Sequence, residues 1–387
     1  MYELTDEEKL LAETMYKWAL NEIAPIQEQI DEEDKLPEDF FTKLGELGML
    51  GITIDEAYGG SAQGIMMQTL AIEQLSRISP GLGMTYGAHS NLCANNINKN
   101  GNHEQKQKYL PPMCTGEHIG ALCLTEPNAG SDALGGMATR ARKNGNSYIL
   151  NGTKMFITNG SIAHTHLVYA KTNPELGPHG ISAFIVEAAW PGVTVSKKLR
   201  KCGMRGSPTS EISFEDVEVP AENLMYQENR GVHVVTSGLA YERIVLSGGS
   251  LGMAEQALEY SIKYAKEREQ FGRPIKDFQM IQQKLADMYC LTEASRGLVY
   301  RAARFADSPE GKRGGKGTEL DKLAAAAILF AAESATTVCS EGLQIHGGYG
   351  YCLEYPIQKL WRDARLYEIG AGTSEIRRMI IARELCR

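Results

Sequence analysis

The sequence predicts a mixed α+β protein with a helical N-terminal domain, a middle β domain (a barrel or sandwich) and a C-terminal helical bundle. Apolar residues recur at steps of three and four before about residue 120 and after about residue 231, which indicates amphipathic helices. Between these points, short β-branched segments are separated by Gly, Asn or Pro, which indicates strands and turns. The expected domains are residues 1–120, 121–230 and 231–387.

Composition and charge exclude several classes of function. The formal net charge is −8 and no long Lys/Arg run occurs, so neither a nucleic-acid surface nor an anionic-membrane surface is expected. No membrane span and no secretory signal are predicted, because long apolar runs are absent and the chain starts acidic. The eight cysteines are never two residues apart, which favours reduced, mostly buried thiols and no metal site.

The N-terminal domain opens with a helix signal. Thr5 is followed three residues later by Glu8, the spacing of a capping box. Helical periodicity returns over residues 65–75, and residues 57–61 predict a turn. His89 has no second His or Cys at metal-ligand spacing, so it is predicted to be a hydrogen-bonded interior histidine.

The middle domain is predicted from strand-like segments at residues 148–152, 167–171, 181–186 and 211–219. The dipeptide Asn151-Gly152 predicts a turn between two strands.

The C-terminal domain is predicted from three long Ala-, Leu- and Met-rich helices, which form an antiparallel bundle. They cover residues 254–265, 278–305 and 318–342. A polar, mobile loop is expected at 308–317, and the neighbours Arg362 and Asp363 are expected to form an ordinary ion pair.

The helix predicted at residues 237–252 carries a carboxylate in an apolar face. Helical spacing places Glu242, Val245, Leu246 and Gly249 on that face. Burial raises a carboxyl pKa, as a proton-abstracting base needs, and glycines allow a flat ligand or another backbone to approach. These residues leave two interpretations open: a catalytic base, or a glutamate paired with a nearby arginine on a solvated face.

Two segments of the middle domain suit a flat polar ring. Residues 122–132 form a loop of small residues with exposed backbone donors and the hydroxyls of Thr125 and Ser131. Phe156 and Thr158 follow on one face of a predicted strand, and an aromatic ring with a hydroxyl suits an isoalloxazine. Taken singly, a connecting turn and a half-buried strand explain these segments equally well.

Three loops of the C-terminal domain are rich in Gly or Arg. Arg273 lies in a Gly-Arg-Pro turn and Arg268 shortly before it, and both suit phosphate because a guanidinium offers paired planar donors. Residues 344–350 are Gly-rich but form neither a P-loop nor a dinucleotide fingerprint, and His346 there is predicted to be structural. Residues 370–373 expose backbone N–H groups that suit a carbonyl oxygen gaining negative charge.

Together these blocks resemble the acyl-CoA dehydrogenase family over essentially the whole chain. Four blocks occur in the family's order: residues 124–132, 156–160, 268–272 and 344–348. The resemblance implies the three-domain fold with a C-terminal four-helix bundle, a homotetramer with one FAD per subunit, an acyl-CoA substrate, and an electron-transfer flavoprotein as electron acceptor.

The position of the catalytic base points to one branch of that family. Most members carry the catalytic Glu directly before the Gly-Thr of the C-terminal loop, where this chain has Ala371. The isovaleryl-CoA dehydrogenase branch instead uses a Glu on the helix that opens the bundle, and Glu242 stands at that position. Residues 86–93 and 366–375 also look like this branch. The resemblance therefore implies dehydrogenation of a short branched-chain acyl-CoA to the 2-enoyl-CoA, with Glu242 as the base for the α-proton and hydride transfer to FAD N5.

The resemblance also implies the ligand contacts. The residues implied for FAD are Leu122, Cys123, Leu124, Thr125, Gly130, Ser131, Phe156, Ile157, Thr158, Arg268, Phe271, Gln279, Gln344, Ile345, His346, Gly347, Gly348, Thr373, Ser374 and Glu375. In family tetramers the Arg268 and Gln344 regions serve a flavin bound mainly by a neighbouring subunit. The residues implied for the acyl-CoA are Ser131, His233, Ala240, Tyr241, Arg243, Leu92, Leu246, Tyr367, Gly370, Ala371 and Gly372.

Two alternative functions stay open. One is a dehydrogenase or reductase of another short, cyclic or aryl-substituted acyl-CoA, because one methylene changes discrimination by only about 1–3 kcal/mol. The other is a non-catalytic homologue that binds flavin or CoA. The expected compartment is a bacterial cytoplasm, or the mitochondrial matrix for a processed eukaryotic chain.

Overall fold

The computed structural model describes residues 3–313 and 317–387. The N-terminal part is helical, and Thr5 caps its first helix: its hydroxyl accepts from the Glu8 N–H while the Glu8 carboxylate accepts from the Thr5 N–H. The predicted capping box is confirmed. The helices are α1 (Asp6–Glu22), α2 (Gln27–Glu33), α3 (Phe40–Glu46), α4 (Ile65–Ile78), α5 (Pro80–Gly87), α6 (Asn96–Asn100) and α7 (His103–Thr115), with a π-helical segment, Ala88–Asn95, between α5 and α6.

The middle part is one eight-stranded sheet with apolar side chains on both faces. Along β4 and β5, alternate residues enter two different cores, one shared with helices and one on the opposite face of the sheet. The strand order is β6-β7-β3-β2-β4-β5-β8, and β1 pairs with β4 in parallel. The strands are β1 (Gly120–Cys123), β2 (Arg140–Asn144), β3 (Ser147–Thr158), β4 (Thr165–Lys171), β5 (Ile181–Glu187), β6 (Val193–Lys198), β7 (Thr209–Pro220) and β8 (Leu224–Met225).

The turn predicted at Asn151-Gly152 is wrong. Both residues lie inside β3, at a register shift in its pairing with β7. Asn151 exchanges hydrogen bonds with Asp216 across this bulge, and a Cβ on Gly152 would lie 2.4 Å from the hydroxyl of Thr139. The chain reverses instead after Asn144, where Gly145 has a φ of 60°. Sheet pairing and close packing therefore override the local turn preference.

The C-terminal part contains three long helices. The predicted helix at 254–265 is the second half of a 37-residue helix that also holds residues 237–252. Residues 314–316 of the predicted loop at 308–317 lie outside the described residues. The elements are α8 (Gly231–Glu267), β9 (Glu269–Gln270), β10 (Arg273–Pro274), α9 (Gln279–Asp307), α10 (Glu319–His346), α11 (Ile357–Ala364) and α12 (Ser374–Leu385).

Glycines in α8 bring a second helix into contact with it. A Cβ on Gly248 would lie 2.6 Å from the carbonyl oxygen of Thr69, and one on Gly252 would lie 2.1 Å from that of Glu73. Both carbonyls belong to α4, so the two backbones approach more closely than any side chain would allow. This confirms that the α8 glycines admit another backbone.

Two local predictions fail. All eight cysteines lie in the described residues and are free, but Cys202, Cys290, Cys352 and Cys386 are exposed, so the thiols are not mostly buried. Arg362 pairs with Asp31, at 2.6 Å, and Asp363 pairs with Lys359, at 2.5 Å. Adjacent residues on a helix point in different directions, which is why Arg362 and Asp363 find other partners.

One helix has the length and apolar composition of a membrane span. It is α10 with the residues that follow it to Tyr351, and 61% of its most apolar stretch is buried inside the protein. It packs between α8 and α9 as a core helix of the bundle.

Candidate active site

Glu242 lies in the protein interior, on α8. Its side chain is 6% exposed, and Oε2 has no hydrogen-bond partner among the described residues. Burial raises the pKa of this carboxyl to about 7, although the charges of Arg243 and Arg377 oppose the shift. The solvated-face interpretation is therefore wrong, and the carboxyl has the protonation behaviour that a base needs near neutral pH.

The neighbouring Arg243 does not form an ion pair with Glu242. Its Nη1 donates to Asp321 Oδ1 at 3.0 Å, and both side chains are buried. Asp321 Oδ2 also accepts from Arg383 at 3.2 Å. This network joins α8, α10 and α12 and leaves the Glu242 carboxylate free of a direct partner.

The loop Gly370-Ala371-Gly372 is attached to α8 through the same arginine. The Ala371 carbonyl accepts from Arg243 Nε at 3.4 Å, and the Gly370 carbonyl accepts from Arg377 Nη2 at 2.6 Å. Ala371 and Gly372 have φ values of 57° and 90°, and their N–H groups have no hydrogen-bond partner among the described residues. Two free backbone donors are thus held close to the turn of α8 that carries Glu242.

Apolar side chains pack beside Glu242 on the same face of α8. Leu246 and Tyr367 are buried, and Leu92 is half-buried. A Cβ on Gly249 would lie 2.4 Å from the hydroxyl oxygen of Tyr367, so this glycine lets the tyrosine ring reach the helix. Leu246 and Tyr367 therefore lie along the face of α8 that carries Glu242. That Leu92 belongs to the same pocket stays a prediction.

Three further residues predicted for the CoA thioester, His233, Ala240 and Tyr241, also lie on α8. Tyr241 donates its hydroxyl proton to the Gly311 carbonyl at 3.0 Å, and Ala240 is buried. His233 stacks on Tyr226 near the start of the helix, with ring centroids 4.8 Å apart. His233 precedes Glu242 by nine residues, which corresponds to roughly 13 Å along the helix.

A buried ion pair shapes the loop after β1. Lys154, on β3, is fully buried and donates to Glu126 Oε1 at 2.8 Å and to the Leu124 carbonyl at 3.1 Å. Glu126 also accepts the N–H groups of Ala138 and Thr139. The fully satisfied pair fixes the backbone of the predicted flavin loop in one conformation.

The residues around this loop fit a flat ring. Phe156 is 65% exposed despite its size and has a φ of 60°, next to a bulge in β3. Ile157 is buried while Phe156 and Thr158 are not, so the predicted alternation holds across the irregular strand. Open space surrounds Gly130, and Ser131 is exposed. Leu122 and Cys123 belong to β1, and the Cys123 side chain is buried, so its backbone is what could meet a ligand.

The start of α12 holds three of the residues predicted for FAD. The Thr373 hydroxyl caps the helix by accepting from the Ile376 N–H at 3.4 Å. Ser374 is buried and its hydroxyl has no partner among the described residues, whereas Glu375 is exposed.

A second group of predicted FAD residues lies far from Glu242. Arg268 follows the end of α8, about 39 Å along the helix from Glu242 at roughly 1.5 Å per residue. Its guanidinium lies 5.5 Å from the Tyr349 ring, and Phe271 is 93% exposed. Gln279 begins α9 nearby, and residues 344–348 end α10. Arg268 and Glu242 thus lie near opposite ends of the last two-thirds of α8.

The two histidines predicted to be structural are so. Both ring nitrogens of His89 are hydrogen-bonded, to the Met113 carbonyl and the Gly120 N–H, each at 3.0 Å. His346 Nδ1 bonds the Gly342 carbonyl at 2.7 Å, and its ring stacks on Tyr264. Burial lowers the pKa of His89 to about 4, so it stays neutral.

Sequence reasoning missed Arg377, Asp321 and Lys154. Arg377 and Arg378 are adjacent, yet the first is fully buried and the second is exposed on the surface with Glu333. The helical phase of α12, which decides between them, depends on where Thr373 caps the helix. Glu126 and Lys154 lie in two sequence blocks that were both predicted to contact the flavin region, but nothing in the sequence indicates that the two side chains pair.

Comparisons with known proteins agree with this geometry. The N-terminal, middle and C-terminal domains of acyl-CoA dehydrogenases match residues 5–117, 121–217 and 229–386. The chain is 48% identical to mitochondrial isovaleryl-CoA dehydrogenase of Solanum tuberosum over 98% of this chain and 90% of that protein. It is 46% identical to the mitochondrial 2-methylacyl-CoA dehydrogenase of the same plant, over 99% and 91%.

Solved structures show the same fold over the full length. Butyryl-CoA dehydrogenase from Megasphaera elsdenii superposes with a TM-score of 0.95 at 39% identity, over 100% of both chains. A chain in the structure of the electron transferring flavoprotein of Acidaminococcus fermentans superposes equally well, at 41% identity over 100% of both chains. The chain therefore belongs to the acyl-CoA dehydrogenase family, the FAD-dependent oxidoreductases that act on the CH–CH bond of an acyl-CoA.

Proposed function

We propose that this enzyme dehydrogenates a short branched-chain acyl-CoA of the isovaleryl type to its 2-enoyl-CoA, with Glu242 as the base. The observation that carries the proposal is a buried carboxyl with a pKa of about 7 beside a loop whose residue 371 is alanine. The similarity to isovaleryl-CoA dehydrogenases at 48% identity supports the substrate class.

The residues of this chain supply binding, polarisation and proton transfer. The free N–H groups of Ala371 and Gly372 would hydrogen-bond the thioester carbonyl, which acidifies the α-carbon by stabilising the charge that develops on oxygen. Glu242 would then accept the α-proton. FAD, when bound along residues 122–131 and at Phe156 and Thr158, supplies the acceptor for the β-hydrogen as hydride. The small side chain of Ala371 leaves space for a branch near the β-carbon.

A panel of CoA thioesters tests the substrate class. The purified holoenzyme is mixed without oxygen with isovaleryl-CoA, 2-methylacyl-CoA, butyryl-CoA, glutaryl-CoA and an aryl-substituted acyl-CoA, and bleaching of the flavin absorbance is followed. We expect the fastest flavin reduction with isovaleryl-CoA. Faster flavin reduction with another thioester would identify that thioester as the substrate instead. No bleaching with any thioester would indicate a non-catalytic homologue.

A second candidate substrate is a 2-methylacyl-CoA. The 46% identity to a 2-methylacyl-CoA dehydrogenase is nearly as high as the identity to isovaleryl-CoA dehydrogenases, and both substrates are short and branched. The panel separates them, because the methyl group is on the α-carbon in one and on the β-carbon in the other.

Assembly and electron transfer complete the proposal. The 39 Å between Glu242 and the Arg268 region supports a homotetramer in which these two regions serve flavins bound mainly by different subunits. An electron-transfer flavoprotein is the proposed acceptor. The proposed compartment is a bacterial cytoplasm, or the mitochondrial matrix; the named plant relatives are mitochondrial.

A further inference from the structure

We propose that Arg377 is a positioning residue of this active site: together with Arg243 it fixes the backbone of the Gly370–Gly372 loop, and it sets a positive charge near the Glu242 carboxylate. This inference rests on the proposed function of Glu242 as the base.

Arg377 is unusual because its guanidinium is buried while most of its N–H donors lack a hydrogen-bond partner among the described residues. The side chain is fully buried, yet Nε and Nη1 have no hydrogen-bond partner among the described residues. Its one hydrogen bond, from Nη2 to the Gly370 carbonyl at 2.6 Å, is short. Burying a guanidinium with two unsatisfied donors destabilises the folded protein, so a purely structural role would favour an apolar side chain.

The two arginines reach the loop from two different helices. Arg243, on α8, donates to the Ala371 carbonyl, and Arg377, on α12, donates to the Gly370 carbonyl. Two consecutive carbonyl groups of the loop are thus each held by a different arginine. Because a peptide unit is planar, fixing the Gly370 and Ala371 carbonyls also fixes the directions of the Ala371 and Gly372 N–H groups. These are the donors proposed for the thioester carbonyl.

The charges near Glu242 come from three elements. Arg243 lies on the same helix and Arg377 on α12, and both lower the pKa of the Glu242 carboxyl, while Tyr169 of β4 also interacts with its charge. Arg243 is already neutralised by Asp321. The Arg377 charge also acts on Glu333 and Glu368, but each of these pairs with its own surface arginine, Arg378 and Arg365. Burial lowers the pKa of Arg377 to about 10, so it stays charged at neutral pH.

Three holoenzyme variants test the proposal: Arg377→Gln, Arg377→Lys and, as a control, Arg378→Gln. The control removes the same charge one residue along α12, from an exposed ion pair. FAD content and thermal unfolding are measured first, followed by the pH profile of kcat/KM and by kcat at saturating isovaleryl-CoA.

We expect Arg377→Gln to shift the acidic limb of kcat/KM upward by about half a pH unit or more, because Glu242 loses a stabilising charge. It should also lower kcat about tenfold or more. Arg377→Lys keeps the charge, so its limb stays at the wild-type pH while kcat falls with the loss of the planar fork. Arg378→Gln should match wild type in both.

If the acidic limb of the kcat/KM profile of Arg377→Gln lies at the wild-type pH, Arg377 does not supply the charge near Glu242. If Arg377→Lys keeps the wild-type kcat, Arg377 does not fix the Gly370–Gly372 loop. Should Arg377→Gln not retain FAD, the Lys variant decides through kcat. Failure of the proposed function looks different. In that case none of the acyl-CoA thioesters bleaches the flavin of the wild-type enzyme, or its kcat/KM profile has no acidic limb near pH 7.

Discussion

At the scale of the residue, the structure gives Glu242 properties that act against stability and in favour of chemistry. A buried carboxyl with one unpaired oxygen is costly in its charged form, and that cost is what raises its pKa to about 7. Groups with strongly shifted pKa values are concentrated at functional sites. The alanine at position 371 supports the proposal that this carboxyl is the base.

The pH dependence of stability follows from this shift. Between the unfolded pKa of 4.5 and the folded pKa of about 7, the folded protein binds the proton more tightly, so stability falls as pH rises through this window. Glu242→Gln removes this penalty. We expect the variant to gain little at pH 5 and up to roughly 3 kcal/mol at pH 8 relative to wild type. Chemical denaturation of both proteins at the two pH values measures the difference; an equal effect at pH 5 and pH 8 contradicts the assigned shift.

Residue identities were only partly predictable. The position of Glu242 on an apolar face followed from helical spacing, because period and burial are both local to α8. The burial of Arg377 did not, because it depends on how α12 packs against α10. Arg362 shows the same limit, since its partner Asp31 lies near the other end of the chain, whereas Asp363 pairs with Lys359 one turn earlier on the same helix.

At the scale of the element, α8 organises the molecule. One helix of 37 residues carries the carboxylate, the arginine that fixes the loop, and the glycines that admit α4 and Tyr367. Its periodicity was visible in the sequence in two separate pieces. That the pieces form one helix, and that the Asn151-Gly152 dipeptide forms a bulge rather than a turn, are consequences of tertiary packing that override local preference.

The contact between Gly249 and Tyr367 gives a test of packing at this scale. In Gly249→Ala the new methyl group would lie 2.4 Å from the tyrosine oxygen, so we expect a loss of about 1–3 kcal/mol in unfolding free energy. Adding Tyr367→Phe removes that oxygen and should restore part of the loss. Gly252→Ala is the matched comparison: its clash is with the Glu73 carbonyl, and Tyr367→Phe should not help it. Rescue of both alanine variants, or of neither, contradicts this account.

At the scale of the whole molecule, the fold was predictable because three regions differ in hydrophobic period. The order helical, β, helical followed from local patterns, and the family followed from the resemblance of four sequence blocks. The distance between Glu242 and the Arg268 region did not, because it requires the full length of α8. That distance leads directly to the expectation that active sites are shared between subunits.

Subunit mixing tests this sharing. Glu242→Gln and Arg268→Ala subunits, each inactive or weakened alone, are co-expressed with different tags and the hybrids are purified. A hybrid dimer has one site with both changes and one with neither, so activity should return in the hybrid and be absent from an equal mixture of the two parent assemblies. Hybrids no more active than the parents indicate that each flavin is held by a single subunit.

The rate of flavin reduction in Glu242→Gln is the most direct test of the central claim. Wild-type and variant holoenzymes are mixed with isovaleryl-CoA without oxygen in a stopped-flow instrument, after FAD content and acyl-CoA binding have been matched. If Glu242 removes the α-proton, the variant should keep its flavin and bind substrate but reduce the flavin about 10²- to 10⁴-fold more slowly. A variant that reduces its flavin at close to the wild-type rate contradicts the assignment of Glu242 as the base.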